Sequence, residues 1–328
     1  MFLSKKLLLQ TQRTYIGLKS NGSGSSDTTT EIYTSTDLEN WSLLTTVQGN
    51  AAWLKQVNGL YFLIFPALPS LLNNGNQIAY SDDCEHWTSV GLSDSSAWRD
   101  LAYGNGTYVL TGVPIPNTTL YLKYSNNLTN WYNGTQSTSG GFKITYGNGL
   151  FTQVATQNSV GGYSSDGQSF TSATLYAGAY MRGIEYDDNN NCLVTLQNAI
   201  STSGSTSAQT NLCLRSVNGT SFTTYELPMY GNWYGCAFIK GNFILMRSGT
   251  YGTYEDYCYG NFTDGFRVGK LPSNRRWSGN ITCANGWVTT VHNVSNPKST
   301  VIAISKDGIN WEEKTATGIS LSSVIVLK

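Results

Sequence analysis

Ser305-Lys-Asp307-Gly-Ile-Asn-Trp311 recurs, with small changes, along the whole chain. Earlier copies are Ser35-Thr-Asp37-Leu-Glu-Asn-Trp41 and Ser81-Asp-Asp83-Cys-Glu-His-Trp87. Ser125-Asn-Asn127-Leu-Thr-Asn-Trp131 has Asn for Asp, and so does Ser216-Val-Asn218-Gly-Thr-Ser-Phe222. Ser164-Ser-Asp166-Gly-Gln-Ser-Phe170 keeps the acid, and Tyr259-Gly-Asn261-Phe-Thr-Asp-Gly-Phe266 is a degenerate seventh copy, one residue longer. From Ser35 to Ser305 the six steps average 45 residues. A fixed period of that length marks a repeat architecture. The Asp or Asn of each copy suits a turn, because its side chain accepts hydrogen bonds from nearby amides. The following Trp or Phe is expected to fill space between neighbouring sheets.

A second ladder interleaves with the first. Apolar runs broken by Asn-Gly occur at Asn58-Gly59, Asn105-Gly106, Asn148-Gly149 and Asn285-Gly286, with looser versions in YMRGIEYDDNNNCLVTL and NWYGCAFIKGNFILM. Asn-Gly accepts the positive φ values of a two-residue hairpin turn. Each such run therefore reads as two antiparallel strands, and the Ser-x-Asp segment joins two more. Seven four-stranded antiparallel units describe an all-β, seven-bladed β-propeller, a single domain over residues 1–328. Blades are expected at 1–49, 50–94, 95–138, 139–177, 178–230, 231–273 and 274–318. The tail 319–328, SLSSVIVLK with its preceding Ile, reads as a strand that closes the ring against the N-terminal blade. The polar tracts beginning at Asn21 and Ser201 read as loops.

These motifs resemble the Asp-box (BNR) repeat of sialidase-like β-propellers, and the resemblance spans nearly the whole chain. That family includes sialidases, endoglucanases, sorting receptors, a photosystem assembly factor and many domains of bacteriophage tails and fibres. The resemblance implies that Asp37, Asp83, Asn127, Asp166, Asn218 and Asp307 sit on outer turns and hold the fold rather than a ligand. It is specific for fold and nearly silent on function.

Composition narrows the field. Lys+Arg and Asp+Glu number 20 each, and only 12% of residues are charged, about half the ~25% usual for soluble domains. This argues against nucleic-acid binding and against adhesion to anionic membranes. Serine, threonine, asparagine and 34 glycines stand in for the missing charge, with 21 tyrosines and 9 tryptophans, a surface suited to polyhydroxylated ligands. No apolar run approaches a membrane span. The opening MFLSKKLLLQTQRTYIG has too short an apolar run for a signal peptide. Cys84, Cys192, Cys213, Cys236, Cys258 and Cys283 show no CxxC spacing and are expected to be buried or half-buried free thiols. His86 and His292 stand in unrelated contexts, and no HExxH or phosphate loop appears, so no catalytic set, metal or cofactor is expected. Sialidase chemistry needs an arginine triad, a Tyr–Glu pair and an Asp. Eight arginines, no Arg-Ile-Pro segment and seven rather than six blades speak against it.

Ligand binding is expected at the axial channel. Aligning blades two to seven on the aromatic residue or Met that opens each inner strand places Leu54, Arg99, Lys143, Arg182, Tyr234 and Ser278 next. Arg99, Lys143 and Arg182, with Tyr234, are the candidate ligand-binding residues, able to hold a carboxylate or phosphate. The alternative is local pairing with Asp100, Glu185 or Asp187. The functional expectation is a non-enzymatic bacteriophage virion protein, of tail, fibre or capsid surface. It docks on other virion proteins or binds host-surface carbohydrate, and any oligomer forms through β surfaces or loops. The alternatives are an exo-acting glycoside hydrolase and a cytoplasmic scaffold or assembly factor.

Overall fold

The structure, a computed structural model, describes residues 13–20, 29–65, 77–92, 97–113, 122–136, 143–155, 160–175, 179–198, 210–247 and 255–327. The segment 1–12, the tracts 21–28 and 199–209 that the sequence reads as loops, and Phe142 lie outside them. The described residues form seven sheets around an axis, antiparallel but for one two-residue pairing, a seven-bladed β-propeller. Among them, no helix is long and apolar enough to cross a membrane.

Each inner strand is flanked on both sides by those of the neighbouring blades. Blade two runs outward as Trp53–Val57, Leu60–Ile64, Gln77–Ser81 and Thr88–Gly91. Blade three has Ala97–Gly104, Thr107–Val113, Leu122–Ser125 and the two-residue Tyr132–Asn133. Blade five has Tyr180–Tyr186, Cys192–Asn198, Thr210–Ser216 and Thr223–Gly231. Blade six has Trp233–Ile239, Asn242–Arg247, Asp256–Asn261 and Gly265–Lys270, and blade seven Thr282–Ala284, Trp287–Ser295, Lys298–Ser305 and Trp311–Thr317.

Two blades take a strand from outside their contiguous segment, one of these strands being the tail expected to close the ring. In blade four, Lys143–Gly147, Leu150–Val154, Val160–Ser164 and Ser169–Thr174 gain a fifth strand, Thr135–Gln136, which pairs parallel to Ser169–Phe170. Residues 135–136 fall in the range expected for blade three, but the chain leaves that blade after Asn133 and covers the next blade's edge. In blade one, Thr14–Ser20, Thr29–Ser35 and Ser42–Gln48 are the three outer strands. Its inner strand is Ser323–Leu327, antiparallel to Thr14–Leu18.

The core is divided among the seven blade-to-blade interfaces. Between blades one and two lie Ile16, Leu18, Ile32, Leu54, Leu63 and Ile325. Between blades seven and one lie Tyr15, Val324, Val326, Ile302 and Leu321. Tyr15 and Ile16, like Val324 and Ile325, thus face opposite interfaces, the period-two alternation of a strand buried on both sides.

The Ser-x-Asp turns share one hydrogen-bond pattern. In Ser305–Trp311 the serine Oγ donates to Asp307 Oδ1 at 3.0 Å and accepts from the Gly308 amide at 2.9 Å. Asp307 Oδ1 accepts from the Ile309 and Asn310 amides, both at 2.8 Å. The same set recurs around Asp37, Asp83, Asn127, Asp166 and Asn218. Only an Oδ acceptor is required, which explains why Asn replaces Asp twice. Trp41, Trp87, Trp131 and Trp311 each return an indole N–H to the carbonyl of the residue after the Asp or Asn, and each packs on an interblade core. The degenerate copy keeps the acceptor alone: Asn261 Oδ1 takes the Thr263 and Asp264 amides.

Candidate functional site

All inner strands run the same way, so their N-terminal ends gather on one face and the Asn-Gly hairpins on the other. On the first face, three inner strands fall out of register with their neighbours. Trp98 opposes Gly112 but Asp100 opposes Thr111; Met181 opposes Leu196 but Gly183 opposes Thr195; Trp233 opposes Arg247 but Gly235 opposes Met246. The extra residues are Arg99 and Tyr234; in blade five Arg182 and its opposite number Gln197 are both passed over and the register is regained. A bulge of this kind re-aims one side chain relative to the pleat. At Gly183 the strand passes so close to blade six that a Cβ would lie 2.9 Å from Cys236 Sγ, so that position admits no side chain.

Below the bulges the axis holds a cavity of about 390 Å³ to which every blade contributes. Arg182, Lys143 and Tyr234 line one side, and Asn280, Thr282, Ser322 and Ser323 of blades seven and one supply amide and hydroxyl groups on another. Apolar wall comes from Trp53, Ile184, Ile281 and Phe238. The Arg182 guanidinium lies 5.5 Å from the Tyr234 ring centre and donates through Nε to Gln197 Oε1. Lys143 projects from the first position of its strand and makes no hydrogen bond or ion pair to any described residue.

Two carboxyl groups share the cavity and behave oppositely. Asp100 binds three blades together. Its Oδ1 accepts from Lys55 Nζ of blade two at 2.7 Å and from its neighbour Leu101 N at 3.0 Å, and Oδ2 from Ile144 N of blade four at 3.1 Å. Burial works to raise its pKa, but Lys55, Lys143 and these bonds outweigh burial and hold it below the ordinary carboxylate range. Glu185 is pushed the other way. Burial raises its pKa, and the opposing pull of Lys55, the Tyr186 amide and Thr145 does not offset it. Cys236 and Cys283 also line the cavity; burial, then the Glu185 carboxylate, pushes Cys283 up to about 12 and Cys236 well above the ordinary thiol value.

The structure thus brings Lys143, Arg182 and Tyr234 to one cavity. Arg99 lies outside its wall, its guanidinium 5.3 Å from the ring centre of Trp53, which is in the wall. It is close enough that Tyr234 and Arg182 act on it electrostatically, though burial is the larger influence and lowers its pKa. Leu54, expected at the channel, contributes to the cavity lining, but its side chain is 4% exposed in the core between blades one and two. Its neighbour Lys55 is the cation of that blade. Counting from the opening aromatic misses it because the blade-two strand carries no bulge, so its frame runs one residue behind. Ser278 precedes the inner strand of blade seven and donates its amide to Val291 O. Asp187 is used by its own loop, accepting from the Asn189 and Asn191 amides.

All six cysteines are free: four are buried, Cys236 is half-buried and Cys283 is exposed where it meets the cavity. Among the described residues, potential metal ligands gather only at Asp83, Glu85 and His86, on an outer turn whose Asp83 already accepts from His86 Nδ1 at 2.7 Å.

No family model matches the chain, and no curated protein matches it in sequence. Solved structures are similar in fold. A catalytically inactive variant of virginiamycin B lyase from Staphylococcus aureus with quinupristin has a TM-score of 0.60 at 11% identity, over 93% of this chain and 95% of that one. The WD40 β-propeller domain of Doa1 gives 0.54 at 10% identity, over 81% of each chain. YCF48 bound to D1 peptide gives 0.53 at 9% identity, over 79% and 80%. At such identities the likeness is one of fold, shared by an enzyme and by proteins of other kinds.

Proposed function

We propose that the chain is a non-enzymatic binding module of a bacteriophage particle, in its tail, fibre or capsid surface, whose axial cavity takes the acidic group of a host-surface glycan. The observation that carries the ligand is the convergence of Lys143, Arg182 and Tyr234 on one cavity, with amides and hydroxyls opposite. Cations there match a carboxylate, Tyr234 and Trp53 offer ring faces to a sugar, and Asn280, Thr282 and Ser323 suit its hydroxyls. The setting on a particle is supported by a surface with few charges and many hydroxyls and amides. The common hydrogen-bond pattern of the six Ser-x-Asp turns supports kinship with Asp-box propellers.

An array of acidic and neutral glycans tests the ligand: acidic glycans are expected to bind and neutral counterparts to fail. Each charge-assisted bond contributes about 1.5–3 kcal/mol, so Lys143→Met is expected to weaken binding about 10- to 150-fold. Mass spectrometry of purified particles tests the setting, and absence of the chain from them removes it.

A glycoside hydrolase is the second reading, favoured by one observation: two carboxyls on one wall have their pKa values driven apart, as acid and base roles require. Against it, both Asp100 oxygens are occupied by Lys55 and two backbone amides. Turnover on a panel of fluorogenic glycosides, abolished by Glu185→Gln, decides between the two.

A further inference from the structure

Glu185 is the cavity carboxyl that the fold leaves half used. Oε1 accepts both of its hydrogen bonds, from Thr145 Oγ1 at 3.0 Å and from the Tyr186 amide at 3.1 Å. Oε2 receives none from a described residue, and the side chain forms part of the cavity wall. Asp100, by contrast, is committed to Lys55.

We propose that Glu185 governs anion entry to the axial cavity, donating from Oε2 to a bound carboxylate or sulfate when it carries a proton and repelling the anion when it does not. This rests on the anion-binding reading above and adds the proton to it. An ionised carboxylate is an acceptor only, whereas a protonated one has a donor to offer. Losing the negative charge also removes the repulsion that an anion would meet on its way to Lys143 and Arg182.

The groups around Glu185 make it the one that titrates. They are Lys55 of blade two, Asp100 of blade three and Lys143 of blade four, with Cys192 and Tyr186 of its own blade. Cys236 and Tyr234 of blade six and Cys283 of blade seven complete the ring. Burial drives the three thiols and the Tyr186 phenol upward, away from neutrality, and Asp100 is held low. Burial raises Glu185 toward neutrality. Binding a proton with the anion makes affinity fall as pH rises through the Glu185 value, by at most about tenfold per pH unit.

The test is calorimetric titration of the full chain with methyl β-D-glucuronoside, and with inorganic sulfate, at pH 5, 6.5 and 8 and constant low ionic strength. Neither probe changes ionisation in that range. Affinity is expected to be about tenfold or more tighter at pH 5 than at pH 8, with proton uptake seen as a buffer-dependent enthalpy. Glu185→Gln is expected to give a flat profile, and Lys143→Met to weaken binding throughout while keeping the slope. Binding that is independent of pH, or an unchanged slope in Glu185→Gln, overturns this proposal and leaves the anion site standing. No binding of either probe by either protein at any pH overturns both. Should Glu185→Gln fail to fold, proton uptake by the parent protein decides alone.

Discussion

The residue after the Asp or Asn in each Ser-x-Asp turn adopts a left-handed conformation, with φ of 68°, 64° and 64° at Leu38, Cys84 and Leu128 and 73°, 74° and 73° at Gly167, Gly219 and Gly308. A side chain there costs about 1–2 kcal/mol, yet Leu38 and Leu128 are buried in interblade cores, which returns about 1.5–3 kcal/mol. In the glycine copies the neighbour fills that space: Val109 meets Gly167, and Ile244 meets Gly308. Gly308→Ala is therefore expected to destabilise by about 2–3 kcal/mol, from strain and overpacking together. Ile244→Ala in the Gly308→Ala background should show a favourable coupling in a denaturant double-mutant cycle. The turns also set the acid limb of stability. Side-chain bonds from Asn40 and His86, then turn amides, hold Asp37 and Asp83 far below ordinary values. At Asp166 and Asp307 slight burial pulls upward but turn hydrogen bonds outweigh it, leaving Asp307 at about 2. A depressed folded pKa contributes stability that is complete above the unfolded value near ~4 and is lost as pH falls through the folded one. Replacing these four residues by Asn, as positions 127 and 218 already have it, is expected to flatten thermal stability between about pH 4 and 2 and to lower it at neutrality, where the contribution of the carboxylates is complete.

Among the elements, the inner strands carry both the structure of the hub and its chemistry. The Lys55–Asp100–Ile144 linkage crosses three of them. Removing one partner of a buried pair strands the other. Lys55→Met is thus expected to cost about 3 kcal/mol or more, and Asp100→Ala less, because the freed Lys55 side chain is 36% exposed and regains water; urea unfolding of both variants measures the difference. The bulges make a separate prediction. Deleting Tyr234 restores plain pairing to blade six, and it should weaken anion binding while leaving the far-ultraviolet spectrum of the sheet intact. What can be read from the sequence follows the same division. Ser-x-Asp and Asn-Gly are legible because a turn is a local matter: Asn58, Asn105, Asn148 and Asn285 all have the positive φ that Asn-Gly announces. Bulges arise between strands, so Arg99, Arg182 and Tyr234 can be picked by alignment but their shared cause cannot. Lys55 escapes for that reason, and Glu185 reads only as a partner for a cation, since nothing in its neighbours' identities shows that Oε2 is left over.

For the whole molecule, closure is the decisive feature. The pairs Val57↔Leu60, Gly104↔Thr107, Gly147↔Leu150, Ile239↔Asn242 and Ala284↔Trp287 each flank a two-residue hairpin, and Leu327↔Thr14 occupies the same place in blade one with no covalent link. A circular permutant that joins Leu327 to Thr14 by Asn-Gly and opens between Gly49 and Asn50 should therefore fold to the same disc. It keeps every sheet but trades the strand from the far end for side-to-side packing alone, so its melting temperature is expected to drop by about 4 °C or more; an equal value would show that the shared blade adds nothing. The shared blade also imposes an order in time. On the ribosome, Thr14–Ser20 emerges among the first described strands and its partner Ser323–Leu327 as the last. At about 5–20 residues per second the first blade presents an uncapped edge for roughly 15–60 s, so the nascent chain faces a hazard of sticking to a sibling polypeptide until that strand emerges.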